Sequence, residues 1–129
     1  MRKTIRSGLI FLVALALTAV SVDKLAIQPA VKKEREKASY AQKLKNQELA
    51  KNYASAGYGW QGQQWECLFG LWTLESRFDN YAKNQRGSSA YGIAQLLGET
   101  DRRPEYQILR GLKYIQHRYK TPCKALQFH

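Results

Sequence analysis

The sequence predicts a small, mostly α-helical domain carried behind an apolar leader and a charged helical stalk. Three observations support this. Apolar residues recur at spacings of three and four through the later part of the chain, no alternating run is long enough for a useful strand, and the aromatic residues are concentrated toward one end. Twelve of the fifteen aromatics fall in the 73 residues 57–129, a density that can build a core, and a chain of 129 residues has room for one compact domain and little else.

The leader comes first. Arg2, Lys3 and Arg6 precede the uncharged run Leu9 to Val22, whose 14 residues fit the apolar region of an export signal better than a full bilayer crossing. Residues 1–22 are read as a signal peptide or a membrane anchor. Both endings stay open: Ala19-Val20-Ser21 offers small residues for cleavage, whereas Val22-Asp23-Lys24 closes an uncleaved anchor that would associate with a membrane through residues 9–22. Either way the chain is expected outside the cytoplasm: extracellular, in the cell wall, or on the outer face of the cytoplasmic membrane.

From Asp23 to Ala56 the composition changes to eight basic and four acidic residues, with Pro29 as the only strong breaker and no glycine. That reads as a helical stalk over residues 23–56, regular from about Val31 to Ala54. Ala41, Leu44 and Tyr53 do not sustain a heptad, so the stalk is taken as a solvated spacer, with a partner-binding or membrane-surface helix as the alternative.

Gly57-Tyr58-Gly59-Trp60 supplies turn chemistry, and the domain is expected to run from there, over 57–129. Its first helix spans Gln63 to Arg77, with Trp65, Leu68 and Trp72 on one stripe. A short second helix is expected over Tyr91 to Leu97. The third begins near Pro104, which suits a first helical turn, and carries Ile108, Leu112, Ile115 and Tyr119 on one face. Thr121-Pro122 reads as the N-cap and first position of a fourth.

Cys67 and Cys123 are too few and too far apart for a zinc knuckle, and no P-loop, dinucleotide fingerprint or His/Cys cluster is present, so neither a metal nor a cofactor is inferred. In an exported chain a Cys67–Cys123 disulfide is preferred over two buried free thiols; as a staple for so small a domain it contributes about 4 kcal/mol in the chain-entropy picture. The net charge of +11 points to an anionic partner without choosing one. Most of that charge lies outside the domain, whose ten basic and six acidic residues leave +4 and form no basic stripe with interleaved aromatics. Nucleic acid is therefore not the expected partner.

The chemistry centres on Glu75. At 100° per residue it lies within about 60° of Leu68, Leu71 and Trp72 near the end of the first helix, so its carboxyl is set beside apolar surface. Desolvation disfavours the ionised form and raises the pKa, as a general acid near neutral pH requires. The plainer reading is a helix-end Glu that pairs with Arg77 or caps a loop. Asp79, four residues on, is the nearest second carboxylate but reads as an Asx turn. Glu99, Asp101 and Glu105, among Arg102, Arg103 and Arg110, read as mixed surface.

Glu75-Ser76-Arg77-Phe78-Asp79, then Asn84, then Ser88-Ser89-Ala90-Tyr91-Gly92-Ile93-Ala94-Gln95 form an ordered string. Over about Trp65 to Tyr119 it resembles the lytic transglycosylases of the lysozyme-like superfamily. The resemblance implies a small lysozyme-like helical domain, likewise without a cofactor, acting on peptidoglycan glycan strands as a monomer. It would cleave the β-1,4 bond between N-acetylmuramic acid and N-acetylglucosamine and leave a 1,6-anhydro product. Glu75 would be the only catalytic carboxylate: it protonates the glycosidic oxygen, then as carboxylate draws the proton from the sugar's own 6-hydroxyl, while the substrate's acetamido group steadies the positive charge.

By matching the motif, Ser88, Ser89 and Tyr91 become candidates for sugar hydroxyls, Gln95 for an N-acetyl group from the following helix, and Tyr114 for the aromatic beside the active site. Each also has a structural reading, as turn, helix start or core edge. His117 points away from the apolar face of its helix, and His129 is left without a role. Members of the family it resembles commonly have longer loops between the Gln motif and the later helix, and many finish with further helical residues after a Cys and His like Cys123 and His129. A fourth helix about two turns long leaves a minimal domain and a truncated one both open. The competing functions are a lysozyme-like hydrolase and a non-catalytic wall-binding protein.

Overall fold

The computed structural model describes the backbone over residues 13–129 and the side chains from residue 27. The expected leader, 1–22, with its apolar run 9–22, lies outside the residues so described. Among the described residues no helix is long and apolar enough to cross a membrane. The chain is mostly helical: α1 Val13–Tyr58, α2 Gln63–Glu75, α3 Pro104–Tyr119 and α4 Pro122–Gln127, with two-residue strands β1 Ala90–Tyr91 and β2 Leu96–Leu97 between α2 and α3. It divides into two compact units between Ala38 and Ser39.

In the first unit the helix runs through Pro29, where the sequence reading placed a break. Residues 27–38 are all exposed. Lys32 and Glu36 form an i,i+4 pair at 4.0 Å on its surface, a contact of a few tenths of a kcal/mol.

The second unit, Ser39–His129, starts well before the turn at Gly57 where the sequence reading put the boundary. The reason is a stripe on the later part of α1. Asn46, Ala50 and Ala54, spaced by four, are buried at 1%, 0% and 0% exposure, and Leu49 and Tyr53 pack beside them against the core. Two alanines add little hydropathy to a window crowded with lysines, yet their small side chains let a helix approach closely.

The core proper is Leu68, Leu71 and Trp72 of α2, Phe78 and Ile93 of the intervening segment, and Ile108, Leu112 and Ile115 of α3. These are largely the stripes that the three-and-four spacing predicts. Trp72 packs against Gly111 so closely that a Cβ there would meet the indole at 2.7 Å. The disulfide Cys67–Cys123 is formed and ties α4 to α2, with Cα atoms 4.9 Å apart. Thr121 caps α4, its hydroxyl accepting from the Lys124 N–H at 3.4 Å, and Pro122 stands at the first helical turn.

Two expectations need correcting. α2 ends at Glu75, not Arg77, because Arg77 and Phe78 both take left-handed backbone, with φ of 54° and 59°. The expected helix over Tyr91 to Leu97 is an antiparallel hairpin, Ala90 facing Leu97 and Tyr91 facing Leu96. Gly92 at φ 79° and Gln95 at φ 49° are incompatible with helix and make the turn instead.

Candidate active site

Glu75 stands on the last residue of α2, its carboxyl half-buried. The helix delivers it there because the chain reverses at once. Ser76 caps the helix with its backbone N–H on the Trp72 carbonyl, and its hydroxyl donates to the Ile93 carbonyl at 2.7 Å, tying the end of α2 to the hairpin. Arg77 and Phe78 then pass through left-handed backbone, which costs of order 1 kcal/mol or more per non-glycine residue. What holds them is Phe78. Its ring is fully buried, 5.4 Å from Phe69 and 6.1 Å from Trp72 between centroids, and its carbonyl accepts from Asn46 Nδ2 at 2.8 Å.

That asparagine opens a buried polar network. Asn46 also donates to Asn80 Oδ1 at 3.2 Å, and Asn80 Nδ2 donates to the Arg102 carbonyl at 2.9 Å. Gln107 on α3 accepts from the Ile93 N–H at 2.9 Å and donates to the carbonyls of Asn80 at 3.0 Å and Asp101 at 2.6 Å. Among the described residues no buried side-chain polar atom is left unsatisfied. One helix of the so-called stalk, the segment after Glu75, the hairpin and α3 are thus held in one geometry. Sequence reasoning missed Asn46, Asn80 and Gln107, since a polar residue on an apolar stripe gives no sign of its partners.

The electrostatics at Glu75 have two opposing causes. Burial pushes its carboxyl above the ordinary glutamate value; His129, through its charge and a hydrogen bond, pulls back without cancelling the rise. His129 Nε2 lies 3.3 Å from Glu75 Oε1. Tyr114 on α3 is the other titratable neighbour. Burial raises its hydroxyl first, then a hydrogen bond to Tyr119 and that residue's charge, and the negative charge of Glu75 adds to the rise. Tyr114 remains 45% exposed, its ring edge-on to Tyr119 at 6.1 Å. Tyr119 in turn stacks on Phe128 at 5.8 Å.

Asp79, Glu99 and Asp101 have partners of their own. Asp79 makes the expected Asx turn, accepting from the Tyr81 N–H at 2.8 Å, and faces Lys43 at 3.4 Å. Glu99 is far from the mixed surface expected of it: its side chain is 3% exposed and paired with Arg110. Hydrogen bonds from Arg103 hold Asp101 well below the usual carboxylate range. Among the described residues no three of His, Cys, Asp or Glu converge as metal ligands would.

Tyr114 thus feels the charge of Glu75, while the hairpin candidates are occupied with the hairpin itself. Ser88 Oγ accepts from the Ala90 N–H at 3.0 Å and Ser89 Oγ from the Gly98 N–H at 3.2 Å. Gln95 sits in the turn, not on a helix, and donates to the carbonyls of Ala82 at 3.1 Å and Gly92 at 2.9 Å. Tyr91, half-buried, pairs with Leu96 and bridges to Lys83. Both serines are exposed, so their hydroxyls keep donor capacity toward solvent.

No family model matches this chain, and neither a curated protein nor a solved structure matches it.

Proposed function

We propose that the chain is a peptidoglycan lytic transglycosylase with a lysozyme-like helical domain, exported and acting outside the cytoplasmic membrane, with Glu75 as its single acid and base. The motif string over Trp65 to Tyr119 supports this reading, and one observation carries it. Glu75 is a half-buried carboxyl whose desolvation favours the neutral form despite His129 at 3.3 Å, while Asp79, Glu99 and Asp101 are committed to turns and pairs with Lys or Arg.

A single carboxyl whose burial favours the neutral form suits a reaction that consumes no water. Glu75 gives its proton to the glycosidic oxygen as the C1–O bond breaks, and the acetamido group of the same sugar stabilises the positive charge at C1. The resulting carboxylate takes the proton of the 6-hydroxyl, whose oxygen bonds to C1 and closes the 1,6-anhydro ring. Glu75 ends protonated, as it began. Tyr114 would form the wall against which the sugar lies, and Ser88, Ser89 and Tyr91 would meet its hydroxyls from the hairpin. The donor hydrogens of Gln95 are already used, so its remaining contact with an N-acetyl group would be through its carbonyl oxygen.

The test is incubation with purified peptidoglycan and mass spectrometry of the muropeptides. Anhydro products are expected from the wild type, and Glu75→Gln should release them about 10²- to 10⁴-fold more slowly, the usual worth of a general acid. Equal release by both proteins rejects the reading. Products that have gained water mark a hydrolase instead, and binding without turnover by either protein marks a wall-binding module.

A further inference from the structure

Among the described residues, His129 forms the ion pair of Glu75, its Nε2 3.3 Å from Oε1, and the sequence motif does not include it. It lies just beyond α4, and the way α4 is docked decides where its imidazole goes. The disulfide fixes Cys123 to α2 itself, and the Cys123 backbone N–H donates to Gln64 Oε1 at 3.1 Å. Pro122 and Ala125 are buried under the helix, and Phe128 stacks on Tyr119 at an interplanar angle of 26°. The His129 N–H closes the turn on the Leu126 carbonyl at 3.3 Å. Each of these contacts constrains the residue before or beneath the imidazole, so the approach to Glu75 is built in several steps rather than resting on one side-chain rotamer.

We propose that His129 is a positioning residue for Glu75, presented by the disulfide-tethered α4 so that its imidazole, 3.3 Å from Oε1, holds the carboxyl in one orientation. Calling Glu75 the acid rests on the function proposed above; the contact itself does not.

The chemical consequence follows from the position of Glu75. A carboxyl at the end of a helix, half in solvent, is free to rotate about its side-chain torsions, and misplacement of an acid by about 1 Å can cost about 10²-fold in rate. A donor on one oxygen removes that freedom and leaves the other oxygen for the substrate. His129, just beyond α4, acts directly on the carboxyl; Tyr114 of α3 feels the carboxyl's charge, with Arg118 and Tyr119 acting on Tyr114 in turn. Of these, His129 favours the ionised carboxylate, which is the form needed for the second proton transfer.

The experiment uses the full chain as wild type, His129→Ala and His129→Gln, with Glu75→Gln to assign the signal. Carbon-13 NMR follows the Glu75 carboxyl through a pH titration, and muropeptide release is measured across the same pH range. In His129→Ala the titration midpoint should move up, because the group that lowered it has gone, and the alkaline limb of the rate profile should move with it. Below that midpoint, where the acid is protonated in every variant, kcat should fall about ten- to a hundredfold with KM unchanged. His129→Gln, which still donates a hydrogen bond, should recover part of both effects.

A midpoint identical in wild type and His129→Ala overturns the inference even if glycan is cleaved. A shifted midpoint in a protein that cleaves no glycan sustains the contact and rejects the catalytic reading instead.

Discussion

A carboxyl half withdrawn from water keeps its proton to higher pH, and at Glu75 that tendency has a thermodynamic cost that can be measured. Between the ordinary glutamate value and the raised one, the folded chain binds a proton that the unfolded chain has released. Stability therefore falls as pH rises through that window and stays lower above it. Glu75→Gln removes the titrating group. Urea unfolding of the variant should show greater stability than wild type above the window, with the difference shrinking as the pH drops through it; a pH-independent difference would mean that Glu75 is not desolvated as described. Gly92 is constrained in another way. It combines φ 79° with a position where a Cβ would overlap the Gln107 side-chain amide. Gly92→Ala adds left-handed strain to a clash inside the buried network, and should cost about 2–4 kcal/mol in the same measurement.

At the scale of elements, the later part of α1 supports the site rather than merely leading up to it. Asn46→Ala would leave the Phe78 carbonyl and Asn80 without their donor beside the strained pair Arg77–Phe78, a loss of about 2–4 kcal/mol for two buried groups at about 1–3 each. It also predicts where the chain can be cut. A fragment starting at Gly57 lacks Asn46, Ala50 and Ala54 and should show no cooperative melting by circular dichroism, while one starting at Ser39 should melt cooperatively. What the sequence made legible follows the strength of each local signal. Trp65, Leu68 and Trp72 on α2, Ile108 to Tyr119 on α3, and Thr121-Pro122 were readable because spacing and capping are properties of neighbours in the chain. The hairpin at 90–97 was not, since two-residue strands have no periodicity to detect and the left-handed backbone at Gln95 is tied to the carbonyl acceptors its side chain finds in Ala82 and Gly92. Within the site, Glu75 could be inferred from its helical face, whereas His129 could not, because nothing near it in sequence says what α4 docks against.

Over the whole compact unit, two kinds of long-range link do the work that a larger core would do. The Asn46–Asn80–Gln107 network joins α1, the segment after Glu75, the hairpin and α3, and the disulfide joins α2 to α4 across 56 residues of sequence. The two are not equivalent. The network lies among Phe78, Ile93 and Ile108, apolar side chains that would still pack with the bridge open, whereas α4 is six residues long, and a helix that short does not persist without tertiary support. Reduction with dithiothreitol should therefore have two separable effects. Global stability should fall by about 4 kcal/mol, the loop-closure value for a loop of this length. In the reduced, still folded protein, the amides of Lys124, Ala125 and Phe128 should exchange with solvent through local opening, at a lower free energy than those of Leu112 and Ile115 on α3. Equal exchange free energies in the two helices would mean that α4 is held by packing alone, and the tether would then have no part in setting His129 against Glu75.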